Sequence, residues 1–316
     1  MGVKFDRANL NYLTDKYEYE SIQTYCFHIV FDIDDKGKIF QKVDEWNEEI
    51  FNEIPFFALG KKRALEISSE FGPRKATKNG MELLYKVKEI REANKYFISA
   101  NEDVEDRYLK RGEFGELILY YLLERQFNKP QLISKIYFKD NPSGMVHGFD
   151  AVHYDKEKNE LWIGESKFYK SLSKALQDLA NDLSGHFNVN FFDSEFVIIN
   201  NRLSDYYDDS EVSDEIRELI GSSTFIQRLS NINACFFALF DSEILDNFKF
   251  NDLGNTHSDF KDILENFAKD TRKKFDQKIK DFANKDRLKI NLFLFPVKSK
   301  FELVKKLHEK LKREQN

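Results

Sequence analysis

HGFDAVHYDKEKNELWIGESKF, residues 147–168, reads as two apolar strands around a polar turn. The turn, Asp155 to Glu160, is centred between Glu157 and Lys158. An antiparallel hairpin folded there sets Asp150 directly opposite Glu165. Opposed residues share a face, with Cβ atoms about 4.5–5.5 Å apart. The side-chain period of two then brings Lys167 to that face as well. Two carboxylates and an ammonium converge on strands otherwise built from Val, Phe, Leu, Trp and Ile.

Burying like charges side by side is costly unless something pairs them. A hard divalent cation does so, and all-oxygen ligation selects Mg²⁺ or Mn²⁺ over zinc. The expected ligands are Asp150, Glu165 and the backbone carbonyl of Ser166. Such an ion acidifies a bound water and neutralises phosphate oxygens, while Lys167 orients that water or stabilises the pentacovalent transition state. The plain alternative is an exposed cross-strand salt bridge, worth under about 1 kcal/mol.

Upstream, Glu102 to Phe127 has helical spacing, and its section Leu117 to Leu123 is apolar all round, as in a buried helix. Pro130 ends it. Glu113, Glu116 and Tyr120 form one stripe on this helix, and Gly112 and Gly115 thin its surface for a close approach to the strands. Glu116 is the candidate outer carboxylate and further metal ligand, with Glu113 second. For both, ordinary solvated helix charge is the alternative. Tyr120 reads as packing.

The remaining order is strand (Leu132–Phe138), strand (Val146–Tyr154), strand (Leu161–Phe168), helix (Ser171–Phe187) and strand (Glu195–Asn200). The helix carries Leu172, Leu176, Leu179 and Leu183 on one face. This αβββαβ order predicts an α/β three-layer core. A strand at Asn233–Phe240, a long charged helix over Ser258–Lys285, a strand at Lys289–Pro296 and a helix from Ser299 follow as C-terminal additions. Residues 1–100 read as a small N-terminal α+β region of unassigned role, with a half-buried strand at Gln23–Ile33, helical spacing at Lys42–Phe51 and Gly80–Tyr96, and an irregular stretch between. The division expected is 1–100 and 101–316, with the core at 111–200.

Other polar groups carry weaker signals. Lys170, Lys174, Gln177 and Asn181 form a stripe that can touch phosphates or simply face solvent. The six histidines lack metal-binding or catalytic spacing, and His147 and His153, on the face opposite Asp150, read as structural. Arg111 either contacts DNA or pairs with a local acid. Phosphate-cradling loops and nucleophile elbows are missing from the sequence, so NTPase and serine hydrolase chemistry has no support.

The chain has 316 residues, 41% hydrophobic, ample for a sizeable core. No apolar run is long enough to span a bilayer, and Met1–Leu10 lacks the layout of a signal peptide, so a cytoplasmic location is expected. Cys26 and Cys235 read as small buried hydrophobes rather than a disulfide or zinc framework. The net charge of −6 is unusual for a protein that grips nucleic acid alone, and suggests a partner that delivers substrate.

A helix glutamate, then Gly-Phe-Asp, then Glu-Ser-Lys, in this element order, resembles the PD-(D/E)xK nuclease superfamily over about residues 111–200, with Phe149 where its motif has proline. More closely, Arg111-Gly-Glu-Phe-Gly-Glu116, His147-Gly-Phe-Asp-Ala151 and Gly164-Glu-Ser-Lys167 resemble the HamA family, the nuclease subunits of the Hachiman anti-phage defence system. That resemblance implies a Mg²⁺-dependent deoxyribonuclease, hydrolysing phosphodiester bonds of DNA, held and controlled by a superfamily 2 helicase. Two other readings stand beside it: a non-catalytic regulatory module of a helicase complex, and an RNA-cleaving nuclease on the same fold.

Overall fold

The computed structural model describes residues 13–84, 112–134, 148–206 and 212–315. Arg111, His147, and the parts of the expected elements at 85–96, 102–110, 135–138 and 146 lie outside the described residues.

The chain begins with β1 (Thr14–Tyr19), β2 (Thr24–Ile29), β3 (Phe31–Ile33) and β4 (Ile39–Gln41). Three helices follow, α1 (Val43–Leu59), α2 (Lys61–Phe71) and α3 (Pro73–Leu84), then α4 (Gly112–Tyr121), which runs into a π-helical turn, Leu122–Gln126. Next come β5 (Gln131–Ser134), β6 (Ala151–Asp155), β7 (Glu160–Phe168), α5 (Leu172–His186), α6 (Val189–Tyr206), α7 (Asp214–Gly221) and α8 (Phe225–Ser230). β8 (Ile232–Asp241), α9 (Ser258–Lys278), β9 (Lys289–Val297) and α10 (Lys300–Gln315) complete it.

Seven strands form one mixed sheet in the order β1-β2-β9-β8-β7-β6-β5, so strands from the first hundred residues extend the sheet that carries the hairpin. β6 runs antiparallel to its neighbours β5 and β7, and β7, β8, β9 and β2 run parallel. The parallel centre is buried on both faces, which is why Cys235-Phe-Phe-Ala-Leu-Phe240 and Ile290-Asn-Leu-Phe-Leu-Phe295 are nearly continuous apolar runs. One face packs on α1, α4 and α10 through Trp46, Phe114, Leu117 and Val304. The other packs on α5, α6 and α9 through Leu179, Leu183, Phe196 and Phe275. The result is a mixed α/β, three-layer molecule. Both cysteines are free and buried, and among the described residues no helix is long and apolar enough to cross a membrane.

Three local expectations are corrected. Glu195–Asn200 is not a strand; it lies within α6. Phe192, Phe196, Ile199 and Leu203 recur at helical spacing and are buried, whereas Val197 and Ile198 face solvent. The strand beside β7 is instead β8, which begins at Ile232. The region Ile54–Gly80 is not irregular but helical: α1 continues through Pro55, and Gly60 and Gly72, at φ +77° and +86°, separate α1, α2 and α3. The strand at Gln23–Ile33 is broken at Val30, and β2 is buried on both faces, with Cys26 in one core and Phe27 and Ile29 in the other.

α4 crosses the hairpin at close range. A Cβ on Gly115 would stand 3.2 Å from Ser166 Oγ and 3.4 Å from Phe168 Cβ. A Cβ on Gly164 would stand 2.6 Å from Leu119 Cδ2, and Leu119 is fully buried, so it could yield only by repacking its neighbours. Gly164→Ala is therefore expected to destabilise the fold by about 1–3 kcal/mol, the usual cost of overpacking, read as a lower urea midpoint at unchanged slope. An unchanged midpoint would show that α4 is not so tightly seated.

Candidate functional site

β6 and β7 pair as Ala151↔Gly164, Val152↔Ile163, His153↔Trp162, Tyr154↔Leu161 and Asp155↔Glu160. This is the register in which Asp150, one residue before β6, continues opposite Glu165. Asp155 closes the turn by accepting hydrogen bonds from the backbone N–H groups of Glu157 (3.0 Å) and Lys158 (3.2 Å). Val152, Tyr154, Leu161 and Ile163 all enter the core beneath α5, so Glu165 and Lys167, at the following alternate positions of β7, open on that same side, with Asp150 close enough for its charge to act on Glu165. Ser166 points the other way, toward Gly115 of α4.

Asp150 and Glu165 are both buried, 6% and 2% exposed. Asp150 Oδ2 accepts from the backbone N–H of Ser166 at 2.9 Å and from its hydroxyl at 3.0 Å, which locks the carboxylate against β7. Gly148, at φ +144°, delivers the chain to Asp150; a Cβ there would meet Glu195 Oε2 at 2.8 Å. Burial, and then the neighbouring charge of Asp150, push the Glu165 carboxyl up to about 7. Lys167 loses by burial but gains more from Asp182, and its ammonium is held above the usual range. It does not pair directly with Asp150 or Glu165, as a simple cross-strand salt bridge would require; its ion pair is with Asp182, 2.5 Å away.

Asp182 and His186 are the residues that sequence reasoning missed. Three contacts join α5 to the end of β7: Tyr169 Oη donates to Asp178 Oδ2 (2.8 Å), Lys167 Nζ pairs with Asp182 Oδ2 (2.5 Å), and His186 Nδ1 lies 2.6 Å from Glu165 Oε1. Four helical residues rise about 6 Å and two strand residues about 6.6 Å, so i, i+4, i+8 on the helix meets alternate positions on the strand. Asp178, Asp182 and His186 have that spacing, and it was the available signal. Although burial opposes it, the hydrogen bond and charge of Glu165 raise the imidazole pKa of His186. The histidine also stacks on Phe191, 4.4 Å between ring centroids.

The neighbouring stripe divides. Lys170 and Lys174 line a cleft of about 430 Å³ together with Asp150, Ser166, Lys167 and Lys300. Lys300, from the start of α10, donates to the Phe168 carbonyl and lies over the Phe168 ring. Gln177 instead donates to Asn181 (3.2 Å) and accepts from Lys278 of α9 (2.8 Å), away from the carboxylates. Gly112 lines the cleft, while Glu113 and Glu116, half-buried on the following turn, do not. Tyr120 is buried and donates to Glu53 at 3.5 Å. His153 is fully buried, its Nδ1 2.8 Å from the Lys129 carbonyl, and burial lowers its pKa to about 4.

Among the described residues, no three His, Cys, Asp or Glu side chains converge as a ready-made metal cage. The donors that would fit a divalent ion are the two buried carboxylates and the Ser166 carbonyl. That set suits Mg²⁺, which takes one or two carboxylates and keeps several waters. Lysines at the cleft mouth would meet the charge of a phosphate.

No curated protein and no solved structure matches the chain. The family model HamA matches residues 5–311 of the 316, motif segments included. With the hairpin register seating Asp150 beside Glu165 and a match over nearly its whole length, the chain belongs to the HamA family of Hachiman anti-phage defence.

Proposed function

We propose that the chain is a metal-dependent DNA nuclease of the PD-(D/E)xK type, controlled by a superfamily 2 helicase partner. The observation that carries this reading is buried Asp150 beside Lys167 in a lysine-rimmed cleft, with a second buried carboxylate, Glu165, near enough to feel the charge of Asp150. The order α4, β5, β6, β7, α5, β8, with three antiparallel strands and a parallel fourth, supports it too. The fourth strand is delayed by α6, α7 and α8, which is an insertion within the expected scheme.

Asp150, Glu165 and the Ser166 carbonyl would hold Mg²⁺ or Mn²⁺, which when bound supplies an acidified water and neutralises phosphate oxygens. Ser166 fixes the Asp150 carboxylate through two hydrogen bonds, so its orientation does not depend on substrate. Asp182 keeps Lys167, which lines the cleft, protonated. An ammonium so placed stabilises negative charge developing on the phosphorus and its oxygens. Lys170 and Lys174 position the strand by its phosphates without reading bases.

A second reading, a regulatory module without catalysis, is favoured by the internal pairing of Glu165 with His186 and of Lys167 with Asp182. One assay separates them. Supercoiled plasmid is incubated with the purified chain, alone and with the helicase, in Mg²⁺, Mn²⁺ or EDTA, with an RNA substrate in parallel. Loss of plasmid in metal but not in EDTA, abolished by Asp150→Ala, is expected. Degradation undiminished by Asp150→Ala, or an intact plasmid in every arm, contradicts the nuclease reading, and preferential loss of the RNA reassigns its substrate.

A further inference from the structure

The α2–α3 helical pair is locally basic in an acidic chain. Residues 61–78 hold six basic side chains against two acidic ones, whereas the whole chain carries −6. The pair turns at Gly72, and its second helix borders a groove of about 460 Å³ shared with α1 and α10. Phe71, Arg74, Lys75 and Lys78, at i, i+3, i+4 and i+7, all line this groove. Phe71 is 62% exposed, far more than an aromatic ring needs for packing. Arg74, Lys75 and Lys78 are exposed and have no acidic partner within ion-pair distance among the described residues. The one acid lining the groove, Glu48, is held by Lys310.

We infer that this groove binds single-stranded nucleic acid, with Arg74, Lys75 and Lys78 on successive phosphates and Phe71 stacking on a base. A basic track with an accessible aromatic ring is how proteins hold single strands without sequence preference. An acidic peptide would satisfy the cations but leave the ring without a stacking partner. α10 links the groove to the catalytic cleft: Lys300 lines the cleft and Lys310 the groove, about 15 Å apart along the helix axis. The choice of nucleic acid as occupant rests on the nuclease reading of the cleft, so binding is measured separately from cleavage.

The test uses the full-length chain carrying Glu165→Gln, in EDTA, with fluorescein-labelled oligo(dT), oligo(U) or a blunt DNA duplex, followed by anisotropy across a salt series. Adding Arg74→Ala, Lys75→Ala and Lys78→Ala is expected to weaken oligo(dT) binding at least tenfold. The logarithmic salt slope should fall by about 2, at about 0.7 per lost phosphate contact. Phe71→Ala is expected to weaken binding by about tenfold or more with the salt slope unchanged, as loss of stacking does. Oligo(dT) and oligo(U) binding comparably, both tighter than the duplex, supports a single-strand groove. No binding by the Glu165→Gln chain, an unchanged affinity and slope in the triple variant, or displacement of oligo(dT) by poly-glutamate at equal charge concentration overturns it. None of these results depends on whether the wild-type chain cuts DNA.

Discussion

Glu165→Gln should abolish DNA degradation and at the same time make the metal-free protein more stable at pH 8. Glutamine keeps the shape of the side chain and removes its charge. The expected loss of activity is about a thousandfold, equivalent to roughly 4 kcal/mol of barrier. The gain in stability comes from the cost of burying this carboxylate. Its pKa is raised from 4.5 to about 7, by burial first and then by Asp150. A carboxyl with a raised folded-state pKa binds its proton more tightly when folded than when unfolded, so stability falls as pH rises from about 4.5 to about 7 and stays low above. That interval corresponds to a cost of up to about 3 kcal/mol. His186 acts in the opposite sense: its raised pKa stabilises the fold at low pH and the effect is lost as pH rises through that pKa. The advantage of the variant therefore belongs at pH 8, above the raised pKa of Glu165, and shrinks toward pH 5 as that carboxyl takes up its proton. Thermal melts in EDTA at both pH values, beside plasmid assays, check it; an active variant, or one less stable at pH 8, refutes it.

Lys167→Met should also lose activity, by about a hundredfold or more, but with the opposite effect on stability. Methionine retains the apolar stem and deletes the ammonium. Asp182 then loses its partner at 2.5 Å, and three carboxylates, Asp150, Glu165 and Asp182, are left to repel one another around His186. Removing one side of a largely buried pair leaves an uncompensated charge, and a loss of about 1–3 kcal/mol at pH 8 is expected. Lys167→Arg should not rescue activity, because a planar guanidinium cannot reproduce a compact ammonium at this spot. Single-turnover cleavage with saturating DNA separates the effect on chemistry from any effect on binding. Wild-type rates in the methionine variant would remove Lys167 from the reaction.

The hairpin was legible in the sequence because everything about it is local. A six-residue polar turn sets the register, and a period of two sets the face, so Asp150, Glu165 and Lys167 follow from counting. Leu176, Leu179 and Leu183 were equally legible, since burial under one sheet face imposes helical spacing. The partners of the site were not, because Asp182 and His186 meet Lys167 and Glu165 only through the near-coincidence of helix and strand rises across a tertiary contact. In Glu195–Asn200, exposed Val197 and Ile198 stand beside buried Phe196 and Ile199, and such an apolar run imitates a strand. That β1 and β2 belong to the same sheet as the hairpin depends on β9, more than 250 residues away, and no local pattern could announce it.

The account stands on Asp150 and Glu165 jointly holding a divalent ion. Titration of the purified chain with Mn²⁺, followed by calorimetry or by loss of the free-ion spin resonance signal, tests this without requiring activity or a partner. Saturable binding that Mg²⁺ displaces, and that Asp150→Ala or Glu165→Gln weakens by at least about tenfold, is the predicted result. Binding of equal strength in the wild type and both variants, or none in the wild type, would contradict it.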